Sequence, residues 1–187
     1  MNLALHGEAT LDEEKTARPL QRALREIVET VLPAVLIAVV LQMFVVQARE
    51  VKGYSMEPTL YNHERVIMEK VTYRFTGGPR RGDVVVLDVP GQTEPLIKRV
   101  VALPGETVAV QGGQVFINGE PLSEPWAHRQ GGPDYPPTLV LAEHVFVLGD
   151  NRPHSGDSRY FGPVRMDRIL GRACFIYWPP SQAGTIR

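Results

Sequence analysis

The stretch GDVVVLDVPGQTEPLIKRVVAL, residues 82–103, predicts two successive β-strands. The first, Gly82–Val89, contains a continuous apolar run of the kind found in buried strands. The second, Pro95–Leu103, is rich in Val, Ile and Leu, and Arg65–Phe75 is a further predicted strand on the amino side. Because similar short runs alternate with turn signals along most of the chain, we predict a mainly β fold.

Turn signals on the carboxyl side extend this pattern into hairpins. The glycine pair at 112–113 joins the runs 108–110 and 115–117, and Asn-Gly at 118–119 is a type I′ turn signal. Composition then shifts to Pro, Gly and polar residues, which indicates a small inserted subdomain over about 112–138. We therefore expect an antiparallel β-sheet domain with this insertion, preceded by one N-terminal transmembrane helix.

Composition sets limits on the class of protein. The chain has 187 residues, enough for one main domain. Its 20 Lys and Arg against 21 Asp and Glu leave a formal charge of −1, so no charge argument favours nucleic acid as a partner. Cys174 is the only cysteine, which excludes an intrachain disulfide and predicts a buried strand thiol.

The N-terminal region predicts membrane attachment. Residues 1–26 are polar and charged and form a predicted cytoplasmic tail, whereas 31–46 carry no charge. A membrane span needs about 20 apolar residues, so we predict a transmembrane helix over 27–48 and an extracytoplasmic domain over 49–187. A buried core helix, or a signal peptide cleaved near Ala48, is the alternative. The basic residues on either side favour an inside N-terminus only slightly.

Lys98 lies on an apolar row of its predicted strand. Side chains alternate between faces, so Lys98 points the same way as Leu96, Val100 and Ala102. If that row faces the core, desolvation lowers the lysine pKa by as much as about 3–5 units and makes the amine a base near neutral pH. The alternative is that Lys98 faces water at an edge strand.

Ser55 stands in the segment VKGYSMEPTLYN, residues 51–62. In a G-x-S-x-G nucleophile elbow the second glycine would stand where Glu57 is, and in an S-x-x-K motif the lysine would stand where Pro58 is. A nucleophilic Ser55 must therefore take its base from a distant part of the chain. Lys98 is the candidate, because Ser-Lys pairs are a known variant of triad chemistry.

Four segments in this order are similar to the type I signal peptidase, or leader peptidase, family. They are GYSMEPTL at 53–60, RGDVVVL at 81–87, KRVVALPGE at 98–106 and GDNRPHSGDSRYFGPV at 149–164. Together with the preceding apolar segment they cover most of the chain.

The resemblance implies a role for each matched residue. Ser55 takes the nucleophile position and Lys98 the general-base position, and Ser155 matches a serine that orients the lysine amine. Asp157 and Arg159 match a charged pair that braces the site.

Three further positions belong to the same motifs. Ser158 lies between the two charged residues, and Met56 matches a residue that packs against the dyad. Gly53 departs from those members that carry a serine there to bind the oxyanion, so backbone N–H groups would take over that function, including that of Ser55. A conventional triad of Ser55 and His154 with Asp157 or Asp150 is the alternative, and we expect His154 to be an exposed turn residue.

The resemblance implies a serine endopeptidase that removes N-terminal signal peptides from exported preproteins through an acyl-enzyme, with no cofactor and no metal. Signal peptides, the lipid bilayer of the plasma membrane and the secretion translocon are the expected partners. Nine extended residues from Val46 reach at most about 30 Å, so Ser55 would stay near the bilayer surface. An anchored β module that only binds peptides is one alternative, and a Ser-Lys peptidase for one dedicated partner is another.

Overall fold

A computed structural model describes residues 25–39, 45–73, 77–127 and 131–186 of the protein. The chain divides into two compact units, residues 1–43 and 44–187. In the first unit, residues 25–39 form helix α1, and its large apolar side chains are exposed, with Leu32 and Leu36 each at 62%. None of the helices within the described ranges has both the length and the apolar character needed to cross a membrane.

The second unit begins with a strand where the sequence predicted the end of a helix. The predicted span reached residue 48, whereas Val46–Glu50 forms strand β1. All five residues of β1 pair antiparallel with β2, Arg65–Glu69, and this pairing satisfies backbone groups that a helix would have bonded internally. The predicted end at residue 48 is corrected accordingly.

The large sheet contains eight strands, so the prediction of a mainly antiparallel β domain is confirmed. Seven of them follow in the order β1, β2, β11, β3, β4, β9, β10. The eighth, β12, pairs with β11. Besides β1 and β2, its members are β3 (Val84–Leu87), β4 (Leu96–Ala102), β9 (His144–Leu148), β10 (Val164–Arg165), β11 (Ile169–Trp178) and β12 (Gly184–Thr185).

A smaller four-stranded sheet has the order β7, β6, β5, β8. Its strands are β5 (Thr107–Gln111), β6 (Gln114–Ile117), β7 (Glu120–Pro121) and β8 (Tyr135–Leu139). The predicted glycine hairpin joins β5 to β6, and Asn118 and Gly119 turn the chain into β7 with φ of 53° and 87°. This sheet begins at Thr107, earlier than the predicted insertion at 112, because β5 pairs with both β6 and β8.

Strand β2 is shorter than the predicted strand Arg65–Phe75. Its last residue, Glu69, accepts hydrogen bonds from the backbone N–H groups of Val71 and Thr72 at 3.0 and 2.8 Å. A carboxylate that bonds the next backbone donors offers them a partner outside the sheet, so the chain turns away there.

Strand β4 lies in the interior of the large sheet and carries Lys98. Val85 of β3 is paired with Lys98, and Leu148 of β9 is paired with Arg99. Both charged residues are buried, at 3% and 0% exposure. The burial of Lys98 on its apolar row is therefore confirmed.

Candidate active site

Ser55 and Lys98 meet although they are far apart in the sequence. The Lys98 amine Nζ lies 2.7 Å from Ser55 Oγ, which is hydrogen-bonding distance. Lys98 is held by the interior strand β4, and Ser55 lies in the turn that follows β1. The structure thus brings together the two residues that the sequence predicted as base and nucleophile.

The turn around Ser55 is held from within. Gly53 has a φ of +87°, a region that favours glycine, and its N–H donates to Asn62 Oδ1 at 2.9 Å. The Leu60 N–H donates to the Met56 carbonyl at 2.9 Å, which closes a helical turn. Met56 is 1% exposed and packs in the core cluster beside Leu60. The residue next to Ser55 is therefore held in place by apolar packing.

Asn151 holds the same turn from the other side of the site. Its backbone N–H donates to the Ser55 carbonyl at 3.0 Å, and its side-chain amide donates to the Tyr54 carbonyl at 3.0 Å. Asn151 is 3% exposed, so these bonds are shielded from water. Asn151 belongs to the matched segment 149–164, but no pattern in the sequence distinguished it from its neighbours there.

Gly149 is a second residue of the site whose role was not predicted from the sequence. A Cβ at this position would lie 2.3 Å from Ser155 Oγ and 2.5 Å from the Ser55 carbonyl oxygen. Both distances are too short for any side chain, so glycine is required for the turn after β9 to approach the nucleophile. The available signal was a glycine directly after a buried strand, which marks a close backbone approach only in some cases.

Ser155 is buried at the site but does not make the hydrogen bond that the resemblance implied. Its Oγ is inaccessible to solvent and has no hydrogen-bond partner among the described residues. The Lys98 amine is bonded to Ser55 instead. A buried hydroxyl without a hydrogen-bond partner is unfavourable. The Ser155 hydroxyl is therefore free to form a hydrogen bond beside the nucleophile turn.

Asp157 and Arg159 form the predicted charged pair. Their side chains are 0% exposed, with Arg159 Nε 2.8 Å from Asp157 Oδ1 and Nη2 2.9 Å from Oδ2. Asp157 also accepts the Gly149 N–H at 3.1 Å, and the Ser158 hydroxyl accepts the Val147 N–H at 3.0 Å. The pair and Ser158 therefore fasten the turn after β9 to the sheet.

Arg152 connects this turn to the smaller sheet's loop. Its Nε donates to the Gly149 carbonyl at 2.9 Å, and its two terminal nitrogens lie 2.9 and 2.5 Å from the carboxylate of Glu124. The two side chains are 2% and 7% exposed. A bidentate pair of this kind fixes orientation as well as distance.

A third buried ion pair lies beside the dyad. Arg99 Nε and Nη2 contact the Asp150 carboxylate at 2.9 and 2.6 Å, and the Thr59 hydroxyl donates to the same carboxylate at 2.6 Å. Trp126 covers the guanidinium, 4.9 Å from its ring centroid. Asp150 and Asp157 are the two carboxylates of the matched segment 149–164. Each is thus neutralised by an arginine.

His154 makes no hydrogen bond to Ser55 within the described part of the chain. It is exposed, and its Nδ1 lies 3.3 Å from Asn151 Oδ1. Asp150 and Asp157 are occupied by their arginines, so the alternative triad lacks its third residue. In the described part of the chain, no three His, Cys, Asp or Glu side chains lie close enough to hold a metal ion.

Burial makes Lys98 a candidate base. Desolvation lowers the pKa of its amine from 10.5 to about 8, and the nearby Arg159 acts in the same direction. Asp157 and Asp150 oppose this shift but do not cancel it. A substantial fraction of the amine is therefore neutral at mildly alkaline pH and can accept a proton.

A groove of about 540 Å³ contains the dyad. Its walls are the residues of β1 and the following turn on one side and residues 94–98 on the other. Strand β1 is at the end of the sheet order, and Leu96–Lys98 pairs with β3 while β9 pairs with β4 only from Arg99 onward. Among the described residues, each wall therefore carries a strand edge that pairs with no other strand.

The sequence also matches known proteins. The family model described as signal peptidase, peptidase S26, matches residues 24–178. A signal peptidase I from Leptolyngbya laminosa is 42% identical over 173 residues, covering 87% of this chain and 84% of that protein. A probable signal peptidase I-2 from Synechocystis sp. is 36% identical and covers 92% and 82%. A signal peptidase I from Bacillus amyloliquefaciens is 34% identical and covers 90% and 94%.

Proposed function

The chain belongs to the signal peptidase family, peptidase S26, and is a serine endopeptidase that removes signal peptides; we propose that Ser55 is its nucleophile and Lys98 its general base. The observation that carries this proposal is the 2.7 Å contact between Lys98 Nζ and Ser55 Oγ. The burial of Lys98, which lowers its pKa to about 8, supplies the neutral amine that the chemistry needs.

In the first half of the reaction, the neutral Lys98 amine takes the Ser55 proton as Oγ attacks the scissile carbonyl. The resulting ammonium then gives this proton to the leaving amine of the mature protein, and an acyl-enzyme on Ser55 remains. In the second half, the same amine takes a proton from water, which attacks the ester. The signal peptide leaves with a new carboxylate, and the proton returns to Ser55 Oγ.

Backbone groups supply the oxyanion contact in this scheme. The Ser55 N–H makes no hydrogen bond to any residue within the described ranges, so it is available to the developing negative charge. The absence of a side-chain donor at Gly53 is consistent with a hole built from backbone donors. Asn151 fixes the position of that N–H, because it holds the carbonyls of Tyr54 and Ser55.

The substrate binds in the groove as an extended strand. The edges of β1 and of Leu96–Lys98, which face no other strand within the described ranges, offer main-chain donors and acceptors to such a peptide. Strand addition recognises main chain more than side chain, which fits an enzyme that accepts many preproteins. The Ser155 hydroxyl takes a positioning role near the dyad, for which its buried and unpaired Oγ is the support.

The N-terminal unit anchors the enzyme in the plasma membrane, with the β domain on the extracytoplasmic side, close to the lipid bilayer and to the secretion translocon. The support is the row of exposed apolar side chains on α1 and the charge-free sequence that continues to Val46. Exposed apolar surface of this extent is unfavourable in water and favourable in lipid.

Cleavage of a purified preprotein by the full chain tests the dyad. Wild type is expected to produce the mature protein and the free signal peptide, identified by mass spectrometry, and Ser55→Ala is expected to produce neither. Full activity in Ser55→Ala would remove Ser55 from the nucleophile role.

Sedimentation with lipid vesicles tests the anchor. Leu36→Arg is expected to reduce the fraction of full chain that pellets with the vesicles, because a charge in a membrane segment costs about 2.5–3.5 kcal/mol. Leu141→Arg is a matched control, since Leu141 is 61% exposed and Leu36 is 62% exposed. Equal pelleting of both variants and wild type would contradict membrane insertion of this segment.

A further inference from the structure

The groove that contains the dyad is lined by five charged side chains: Arg49, Glu50, Lys52, Glu94 and Lys98. Glu50 pairs with the His63 ring at 2.9 Å, and Lys52 pairs with Glu94 at 2.5 Å. The Lys98 amine is bonded to Ser55. Arg49 differs from these four, because its side chain makes no hydrogen bond or ion pair to any residue in the described ranges.

The guanidinium of Arg49 is also partly removed from water. Arg49 is half-buried, and its Nε is inaccessible to solvent and without a hydrogen-bond partner among the described residues. A buried donor on a charged group is unfavourable unless something accepts its hydrogen bond. An arginine is always protonated in a protein, so the side chain cannot avoid this cost by losing its proton. The groove therefore contains one guanidinium group, that of Arg49, that can donate a hydrogen bond to an acceptor on a ligand.

We propose that Arg49 is a specificity-determining residue, whose guanidinium binds an acceptor side chain of the extended peptide in the groove. Asp and Glu are the preferred partners, because a carboxylate matches the fork of an arginine and neutralises its charge, and Asn and Gln are weaker ones. This inference rests on the proposed function, since it assigns a contact to the peptide that Ser55 cleaves.

The position of Arg49 in the chain limits where the preferred side chain lies. Arg49 is on β1, six residues before Ser55, and a peptide beside β1 is extended as β1 is. The acceptor side chain is therefore within about six residues of the scissile bond. Strand side chains alternate between faces, so the preference is confined to one position or to positions of the same parity.

Position-scanning peptides test the proposal with the full chain. One set of synthetic signal-peptide substrates carries Asp, and a matched set carries Ala, at each position within six residues of the scissile bond. The readout is the ratio of kcat/KM for the Asp and Ala peptides at each position. Wild type is expected to show a ratio of about ten or more at one of these positions, relative to the other positions of the scan.

Arg49→Met, which keeps the length of the side chain, is expected to lower that ratio to about one. Arg49→Lys retains the charge and is expected to retain part of the preference, and it serves as the test variant if Arg49→Met does not fold. Arg65→Met is the matched control: Arg65 is exposed on the neighbouring strand β2 and does not line the groove, so its ratio is expected to equal that of wild type.

Three results would overturn the inference. The first is a wild-type ratio of about one at every position, and the second is an unchanged ratio in Arg49→Met. The third is an equal loss of kcat/KM for the Asp and Ala peptides in Arg49→Met, which would show that Arg49 binds the main chain of the peptide and not a side chain. Failure of wild type to cleave any Ala peptide is a different outcome, because it contradicts the proposed function itself.

Discussion

At the scale of single residues, the chemistry depends on where Lys98 lies more than on what surrounds it in sequence. Lysine is an ordinary surface residue, but here it is 3% exposed and 2.7 Å from a serine hydroxyl. Desolvation is the largest effect on the pKa of its amine, and the nearby charges of Asp157 and Asp150, which raise the pKa, are too small to offset it. Each carboxylate is paired with an arginine, Asp150 with Arg99 and Asp157 with Arg159.

The pH dependence of cleavage follows from this placement. Only the neutral amine accepts the serine proton, so kcat/KM is expected to rise with pH and level off above the Lys98 pKa of about 8. Below that value it falls about tenfold for each pH unit. The measurement is kcat/KM for one synthetic substrate from pH 5 to 10, in wild type and in His154→Ala. Loss of both the activity and its rise with pH in His154→Ala would contradict a lysine base, because a histidine base would give a rise near its own pKa of about 6.5.

Replacement of Lys98 by arginine tests the same base without removing positive charge. Lys98→Arg is expected to lower kcat by about 10³-fold or more, because a guanidinium is not deprotonated in a protein and removal of the base from a nucleophilic pair has effects of this size. Circular dichroism checks that the fold is retained. Lys70→Arg, outside the groove, is the control and should cleave like wild type, whereas activity in Lys98→Arg close to that of wild type would exclude Lys98 as the base.

At the scale of elements, the turn after β9 determines how accurately the nucleophile is held. This turn supplies Asn151, which holds the carbonyls of Tyr54 and Ser55, and Gly149, whose missing side chain lets the two backbones approach. The short helix α2, Ser158–Phe161, closes the turn, and the Asp157 side chain accepts the Arg159 N–H at its first turn. The catalytic geometry is therefore a contact between two turns that the sheet brings together.

Gly149→Ala is expected to reduce kcat/KM by about 10²-fold, since a shift of about 1 Å at a reacting group has effects of this size. The added Cβ would meet the Ser55 carbonyl oxygen at 2.5 Å, and a backbone atom cannot move aside as a flexible side chain does. Gly156→Ala is the matched control in the same segment, because its added Cβ meets nothing within 4 Å. Equal activities of the two variants would show that the approach at Gly149 is not needed for cleavage.

At the scale of the whole β domain, one buried ion pair connects the two sheets. Glu124 follows β7 of the smaller sheet, and Arg152 belongs to the turn after β9 of the large sheet. Arg152 also donates to the Gly149 carbonyl, so this ion pair links the smaller sheet to the turn that holds the nucleophile.

Loss of Glu124 is expected to destabilise the domain strongly. Glu124→Ala leaves the buried Arg152 charge without its carboxylate, and breaking a buried pair in this way costs about 3–5 kcal/mol. The free energy of unfolding from urea titration measures the change. Glu120→Ala, at an exposed position of β7, is the control and should change stability by about 0.5 kcal/mol or less. A change of that small size in Glu124→Ala would contradict the structural role of the pair.

The sequence by itself determined the features that depend on local chemistry. Strand alternation placed Lys98 on a buried row, and the Gly112-Gly113 and Asn118-Gly119 turns were predicted because only certain residues adopt their backbone angles. Local patterns failed at strand ends, since a partner strand extended β1 back to Val46 and the Glu69 side chain ended β2 early.

Only the tertiary structure decided how the distant parts meet. The contact of Lys98 with Ser55, the hold of Asn151 on the nucleophile turn and the close approach at Gly149 all depend on the order in which the strands pair. The same holds for the unpaired donor of Arg49, because a missing partner is a property of everything around a side chain. A residue's own neighbours in sequence carry no information on such contacts, since they join segments that are separated along the chain by many residues and adjacent only in the folded sheet.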